Sequence, residues 1–138
     1  MSTTSAAIKR GIVRHVRSDG PLKAAIVGGI HEGFAPEKVR YPFMVYNLVA
    51  APYGSLWGSR VIVALVDMQV FAENGVDANN VDQLIFNAFD GSQFTVDGQT
   101  TLICRRVSDI PGGPDVDSEG KKIYQIGGSY EIWTDQTL

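Results

Sequence analysis

The run Val61-Ile-Val-Ala-Leu-Val-Asp-Met-Gln-Val-Phe-Ala72 constrains this chain more than any other stretch. Successive side chains of a strand point to opposite faces. Ile62, Ala64, Val66, Met68, Val70 and Ala72 therefore share one face, and all are apolar. Val61, Val63, Leu65, Asp67, Gln69 and Phe71 share the other, where Asp67 and Gln69 interrupt a greasy surface. Twelve residues exceed the five or six of an ordinary strand. One face can carry a core, while the two-character face suits a partner. The expectation is a central strand in a sheet covered by helices on one side only.

The flanking segments fit that sheet. Ser5 to Ser18 reads as a helix, with Ile8, Ile12, Val13 and Val16 on one stripe and Lys9, Arg10, Arg14 and Arg17 around the rest. Asp19-Gly20-Pro21 ends it and opens a short second helix, Pro21 to Val27, stopped by Gly28-Gly29. Ile30 to Phe34 reads as a brief extended segment. Tyr41 to Val49 reads as a strand with Pro42 at its start or on an edge. The stretch 50–59 then forms the tip of a long antiparallel hairpin leading into the central strand. After a turn at 73–76, Asp77 is the expected cap of a helix marked by Val81, Leu84, Ile85, Ala88 and Phe89 and closed by Asp90-Gly91. Gln93 to Val96 and Thr101 to Val107 read as short strands around Asp97-Gly98. Pro111 to Lys121 reads as a mobile loop. Lys122 to Thr134 reads as the last strand, with Tyr124, Ile126, Tyr130 and Ile132 on one face; Gly127-Gly128 mark a bulge or close backbone approach. The fold class is α+β: one domain over residues 1–138, a mostly antiparallel (mixed) sheet with helices packed on one face and a long β-hairpin.

Composition narrows the function. A formal charge of −3 argues against a general nucleic-acid binder. Cys104 is the single cysteine, which removes any intrachain disulfide and fits a reducing compartment. No apolar run approaches the ~20 residues of a membrane span, and no secretory leader is expected from the first residues.

Catalytic and metal motifs do not assemble. Ile30-His31-Glu32-Gly33 lacks the second histidine of a zinc-protease helix. Asp115, Asp117, Glu119 and Gly120 match the first half of a calcium loop, but its closing acid falls at Ile126. Gly54-Ser55-Leu56-Trp57-Gly58 misplaces its serine for a nucleophile elbow. Cys104 with His15 or His31 could make a thiol–imidazole pair, although a mid-strand cysteine reads better as a small core residue. The cluster of Lys9, Arg10, Arg14, Arg17 and Lys23 reads first as a solvated helix face, then as a site for an acidic protein, and last as a DNA surface. Apolar side chains at the hairpin tip, Tyr53, Leu56 and Trp57, typify interface anchors. The expectation is assembly without catalysis, metal or cofactor.

In order and local pattern these segments resemble the tail completion, or tail terminator, family of long-tailed bacteriophages. The resemblance runs from about Ala6 to Trp133: a helix and short second helix, the Pro-containing entry Tyr41-Pro42-Phe43-Met44-Val45, the long strand, the helix after Asp77, and closing strands around Asp115–Gly120. It implies a ring, commonly of six copies, that docks on the tail tube protein, halts tube polymerisation and offers its other side to the head–tail connector. Such a protein would sit at the head-proximal end of the virion tail and pass through the host cytoplasm during assembly. Six copies would total a formal charge of about −18, six times −3. An acidic lumen is then expected, through which genomic DNA slides without specific binding; Asp67, Asp109, Asp115, Asp117 and Glu119 are candidates to line it. Tyr53, Leu56, Trp57 and Arg60 at the tip, with Asp67 and Gln69 on the outer face, are the expected interface residues. The alternatives are a head–tail joining protein or a small regulatory binding module.

Overall fold

The computed structural model describes residues 5–50, 61–96, 99–101 and 103–135. Helices α1 (Ser5–Ser18) and α2 (Gly20–Ala25) lead into strands β1 (Ile30–Glu32), β2 (Phe43–Ala50) and β3 (Val61–Ala72). Helix α3 (Gly75–Phe89) follows, then a small two-stranded ribbon, β4 (Thr95–Val96) with β5 (Gln99–Thr100). Two long strands, β6 (Ile103–Val116) and β7 (Lys122–Asp135), close the chain. The main sheet has the order β1-β2-β3-β7-β6, so the twelve-residue strand lies at its centre, as its pattern requires. Only β1 and β2 run parallel, because the connection 33–42 returns past the three-residue β1 before β2 begins; every other ladder is antiparallel.

The helices cover one face of the sheet. Ala64, Val66, Met68, Val70 and Ala72 of β3 are fully buried, with Met44 and Tyr46 of β2 and Tyr130 and Ile132 of β7 alongside. Against them pack Ile8, Ile12 and Val16 of α1, Leu22 of α2, and Val81, Ile85 and Phe89 of α3. Each such side chain contributes about 1.5–3 kcal/mol when withdrawn from water. Cys104 belongs to this core, and burial pushes its thiol up to about 12, as befits a small apolar residue.

Three local expectations are corrected. Helix α3 is capped by Asn74, whose Oδ1 accepts from the Asp77 amide at 2.8 Å while its own Nδ2 donates to Asp77 Oδ2 at 2.9 Å. Asp77 thus sits in the first turn, where its charge suits the positive end of the helix. The second helix is shorter than Pro21–Val27: Asp19 caps it, and its last turn closes at Ile26. The third correction is the largest. Residues 111–116 are not a loop but the distal half of β6, paired with β7 from Gly113↔Gln125 to Val116↔Lys122. Pro111 and Pro114 are tolerated there because β6 is an edge strand, which has one side free of ladder partners. Bulges between Arg106 and Ser108 and between Ile110 and Gly113 absorb the misfit. At the second bulge a Cβ on Gly112 would lie 1.7 Å from the Gln125 carbonyl oxygen, so only glycine fits. The turn itself is confined to Asp117–Lys121.

Candidate assembly surfaces

The face of the sheet away from the helices carries the odd-numbered residues of β3. Val63, Leu65, Asp67, Gln69 and Phe71 are all half-buried there. Asp67 lies opposite Asn47 and Ser129 and accepts a 2.6 Å hydrogen bond from the Ser129 hydroxyl. Gln69 lies between Val45 and Gly127. The two polar residues proposed from sequence are therefore neighbours at the middle of this face. Tyr53, Leu56, Trp57 and Arg60 lie outside the described residues.

On either side of Asp67 and Gln69 the face has a different character. Toward the start of β3, Val63 is opposite Trp133, which is in turn opposite Ile103 on the edge strand. The Arg105 guanidinium lies 6.0 Å from the Trp133 ring centre and pairs with Glu131 at 3.0 Å. An apolar strip of Val63, Leu65, Trp133 and Ile103 is thus rimmed by an exposed ion pair. Sequence reasoning did not single out Trp133 or Ile103. The signal was present: once Tyr130 and Ile132 of β7 face the core, Trp133 must project to the opposite side.

Toward the end of β3 the face is partly roofed, which the expectation of a wholly free surface did not foresee. Phe43 and Phe71 stack with ring centres 5.0 Å apart, and Tyr41 lies 5.3 Å from Phe43. The loop from Gly33 to Pro42 reaches across to the β6–β7 turn, where the Tyr41 hydroxyl donates to Asp117 Oδ2 at 3.1 Å. Burial, then the adjoining Asp117 carboxylate, raises the Tyr41 phenol above its ordinary value. Lys121 pairs with Glu73 at 2.9 Å and lies 5.6 Å from the Tyr41 ring centre. These groups enclose a groove of about 890 Å³ floored by Phe43, Val45, Gln69, Phe71 and Ile123, with the ring of Phe34, 82 % exposed, on its rim.

The acidic residues expected to line a lumen have particular places along β6 and its turn. Asp117 organises the turn: its Oδ1 accepts from the Glu119 and Lys121 amides, both at 2.9 Å. Those amides, led by Lys121, hold its carboxyl below the usual range. Asp115 accepts from the Val116 amide at 2.8 Å, and Glu119 is exposed. Asp109, with a side chain 86 % exposed, lies 2.9 Å from Arg106 Nε.

Arg106 itself turns inward. Its Nη1 donates to both Asp82 oxygens at 3.0 Å and its Nη2 to the Gly127 carbonyl at 2.6 Å. The pair ties α3 to β6 and β7 with side chains 10 % and 13 % exposed. Gly128 makes the passage possible, because a Cβ there would sit 2.2 Å from Arg106 Nε. The Gly127-Gly128 dipeptide is thus a site of close approach, while the bulges belong to β6. Burial raises the Asp82 carboxyl above its ordinary value, and Arg106 offsets that only in part. This is a structural pair under the helices and not an acid–base site.

On the helical side, α1 and Tyr46 of β2 enclose a groove of about 400 Å³ lined by Lys9, Arg10, Val13, Arg14 and Arg17. Lys9 is paired with Glu32 of β1. His15 turns the other way, with Nε2 2.7 Å from the Ala88 carbonyl oxygen and its ring stacked on Phe94 at 4.8 Å. His31 Nε2 bonds the Gly28 carbonyl at 2.8 Å. Among the described residues no cluster of three or more His, Cys, Asp or Glu is placed to hold a metal, and no helix is long and apolar enough to cross a membrane.

No family model matches the chain, and no curated protein matches it either. Its fold is shared by solved structures. One is a chain from the virion of a native gene transfer agent particle, which matches with a TM-score of 0.70 at 9% identity, over 96% of this chain and 97% of that one. A second solved structure, with no functional description, matches with a TM-score of 0.54 at 11% identity, over 96% of this chain and 95% of that one. At such identities the likeness is one of fold, and it extends from end to end of both chains.

Proposed function

We propose that this chain is a structural protein of a phage-like virion that assembles into a ring, with six copies, on the end of a tail tube. The ring ends tube polymerisation and offers its other side to the head's connector, without cofactor or turnover. The observation that carries this reading is the fold shared, over 96% of the chain, with a protein of the gene transfer agent virion. The one-sided helical cover supports it physically. On the face away from the helices, Val63, Leu65 and half-buried Trp133 line up with exposed Ile103, an apolar strip that a second protein surface can extend. Closed rings need heterologous contacts, in which two different surfaces of one chain meet.

Negative-stain imaging of the purified protein, alone and mixed with tail-tube protein, tests the reading. A pore-bearing ring, free or seated on tube ends, is the expected result. Compact particles that leave tubes uncapped would overturn it. The same likeness of fold also supports a ring on the head side of the joint; that protein would form rings yet ignore tubes, so the mixed sample separates the two.

A further inference from the structure

Charge is not spread evenly over this chain. Residues 1–31 carry five Lys or Arg and a single acid, Asp19, a formal +4. Residues 32–138 carry seven cations and fourteen acids, a formal −7, which together give the −3 of the whole chain. Asp19 is occupied in capping α2, where its side chain accepts from the Leu22 amide at 3.0 Å. The fold sorts these charges to the two opposite edges of the sheet. The basic groove of α1 lies over β2, with Lys9 reaching Glu32 on β1. The strand β6 is the far edge, and Asp109, Asp115, Asp117 and Glu119 lie along it and its turn, while the flanking cations Arg105, Arg106 and Lys121 are paired with Glu131, Asp82 and Glu73. From β2, under the groove, to β6 the sheet spans about 14 Å, three spacings of ~4.8 Å. That exceeds a Debye length of about 8 Å at physiological salt, so the two surfaces cannot neutralise one another within one copy.

We infer that the α1 groove is a docking site for the β6–β7 turn of a second copy of this chain. Arg14 and Arg17 meet Asp115 and Glu119 across the contact, all four being exposed in the single chain. A basic surface at one edge and an acidic one at the other make a head-to-tail contact, the kind whose rotation closes a ring. Val13 and the Tyr46 ring give the groove an apolar floor, so the contact buries carbon as well as matching charge. The inference rests on the ring reading above and deepens it by naming the two surfaces that meet. It also assigns Asp115 and Glu119 to the joint between copies in place of the lumen.

Charge reversal tests it. Variant one carries Arg14→Glu and Arg17→Glu; variant two carries Asp115→Lys and Glu119→Lys. Each is examined by sedimentation velocity and negative stain at 50 mM and 500 mM NaCl, alone and with tube protein, with circular dichroism to establish that it is folded. Wild-type protein is expected to assemble at low salt and to need at least tenfold more protein at high salt. Each variant alone should stay monomeric, whereas an equimolar mixture should recover rings, because alternating copies restore every contact. Rings formed equally well by wild type and both single variants, insensitive to salt, would overturn the inference and leave the ring reading standing. Wild-type protein that never associates, even on tubes, would overturn both. Duplex DNA retained by wild type and lost by variant one, with ring formation unchanged, would assign the groove to phosphate instead.

Discussion

The inward ion pair of Asp82 and Arg106 offers the sharpest test of how the helices are held to the sheet. Replacing Asp82 by Leu leaves a guanidinium that is 10 % exposed with its carboxylate gone. Breaking a buried pair by removing one partner typically costs about 3–5 kcal/mol. Arg106 keeps the Gly127 carbonyl at 2.6 Å and the exposed Asp109, so the lower end, about 3 kcal/mol, is expected. With a urea slope of about 1.5 kcal/mol/M, the unfolding midpoint should fall by about 2 M. Arg106→Met should cost less, about 1–3 kcal/mol, because the Asp82 carboxyl can take up a proton once it loses its partner. Asp82→Leu with Arg106→Met removes both charges together and should lie within about 1 kcal/mol of wild type. The coupling energy is then about 3 kcal/mol or more, measurable by a urea double-mutant cycle. Additivity of the two single losses within about 0.5 kcal/mol would refute the pairing.

The same site carries a sign in pH. Burial raises the Asp82 carboxyl in the folded state, with Arg106 opposing it. A raised folded value means that this group's contribution is fully present below the unfolded value near 4 and is lost as pH rises through the folded value. The stability of wild type relative to Asp82→Asn should therefore fall across that window, read as the difference between two urea titrations. A difference that rises with pH would show that Arg106 outweighs burial.

Three further outcomes follow from single contacts. Asn74→Ala removes the cap of α3 and should lower stability by about 1 kcal/mol, read in thermal or urea unfolding. The Cys104 thiol, buried and pushed up to about 12, should react with a disulfide reagent at neutral pH only at the rate of global unfolding; fast labelling in native buffer would contradict its placement. Asp117→Ala should speed amide exchange at Glu119 and Lys121, which lose their shared acceptor. Because the Asp117 carboxyl is held low, its contribution is present above the unfolded value and is lost as pH falls through the folded one, so the wild-type turn should loosen in acid.

How far the fold could be read in advance depended on how local its causes were. The parity of β3, observed from Ala64 to Ala72, and the stripe of α1 are consequences of two periods, and the bounds of both elements, 61–72 and 5–18, agree with the reading. The cap of α3 lies three residues before the expected Asp77 because Asn74 and Asp77 are both good acceptors, and only the backbone geometry distinguishes a cap from a first-turn acid. The distal half of β6 carries the signature of a loop, because Pro111, Gly112, Gly113 and Pro114 are loop residues by propensity. What makes them a strand is tertiary: β7 offers a continuous ladder, and the edge position forgives missing donors. Arg106 could not be assigned to the interior from a basic dipeptide, since its acceptors come from α3 and β7, 24 and 21 residues away. The central pair of the outer face, Asp67 and Gln69, was legible, whereas Trp133 needed the parity of β7 to be followed to the second face.

The two edges of the sheet also bear on how copies can meet. Open edges invite strand addition, which would give unbounded fibres as readily as rings. Here that route is obstructed. The Cys104 amide and carbonyl are already taken by the Ser92 carbonyl at 3.1 Å and the Gly91 amide at 2.7 Å, and the Arg106 amide by Asp90 Oδ1 at 2.9 Å. Further along, Pro111 and Pro114 donate nothing and two bulges break the straight run. At the other edge β1 spans only three residues. Along these described edges, a contact between copies is therefore favoured through side chains over a shared ladder. Side-chain contacts can be matched in number and angle, which a backbone ladder extending from edge to edge cannot enforce. Under the proposed ring, edges that resist strand addition favour closure over fibres, and the inferred contact between the α1 groove and the β6–β7 turn would supply the attraction that the backbone withholds.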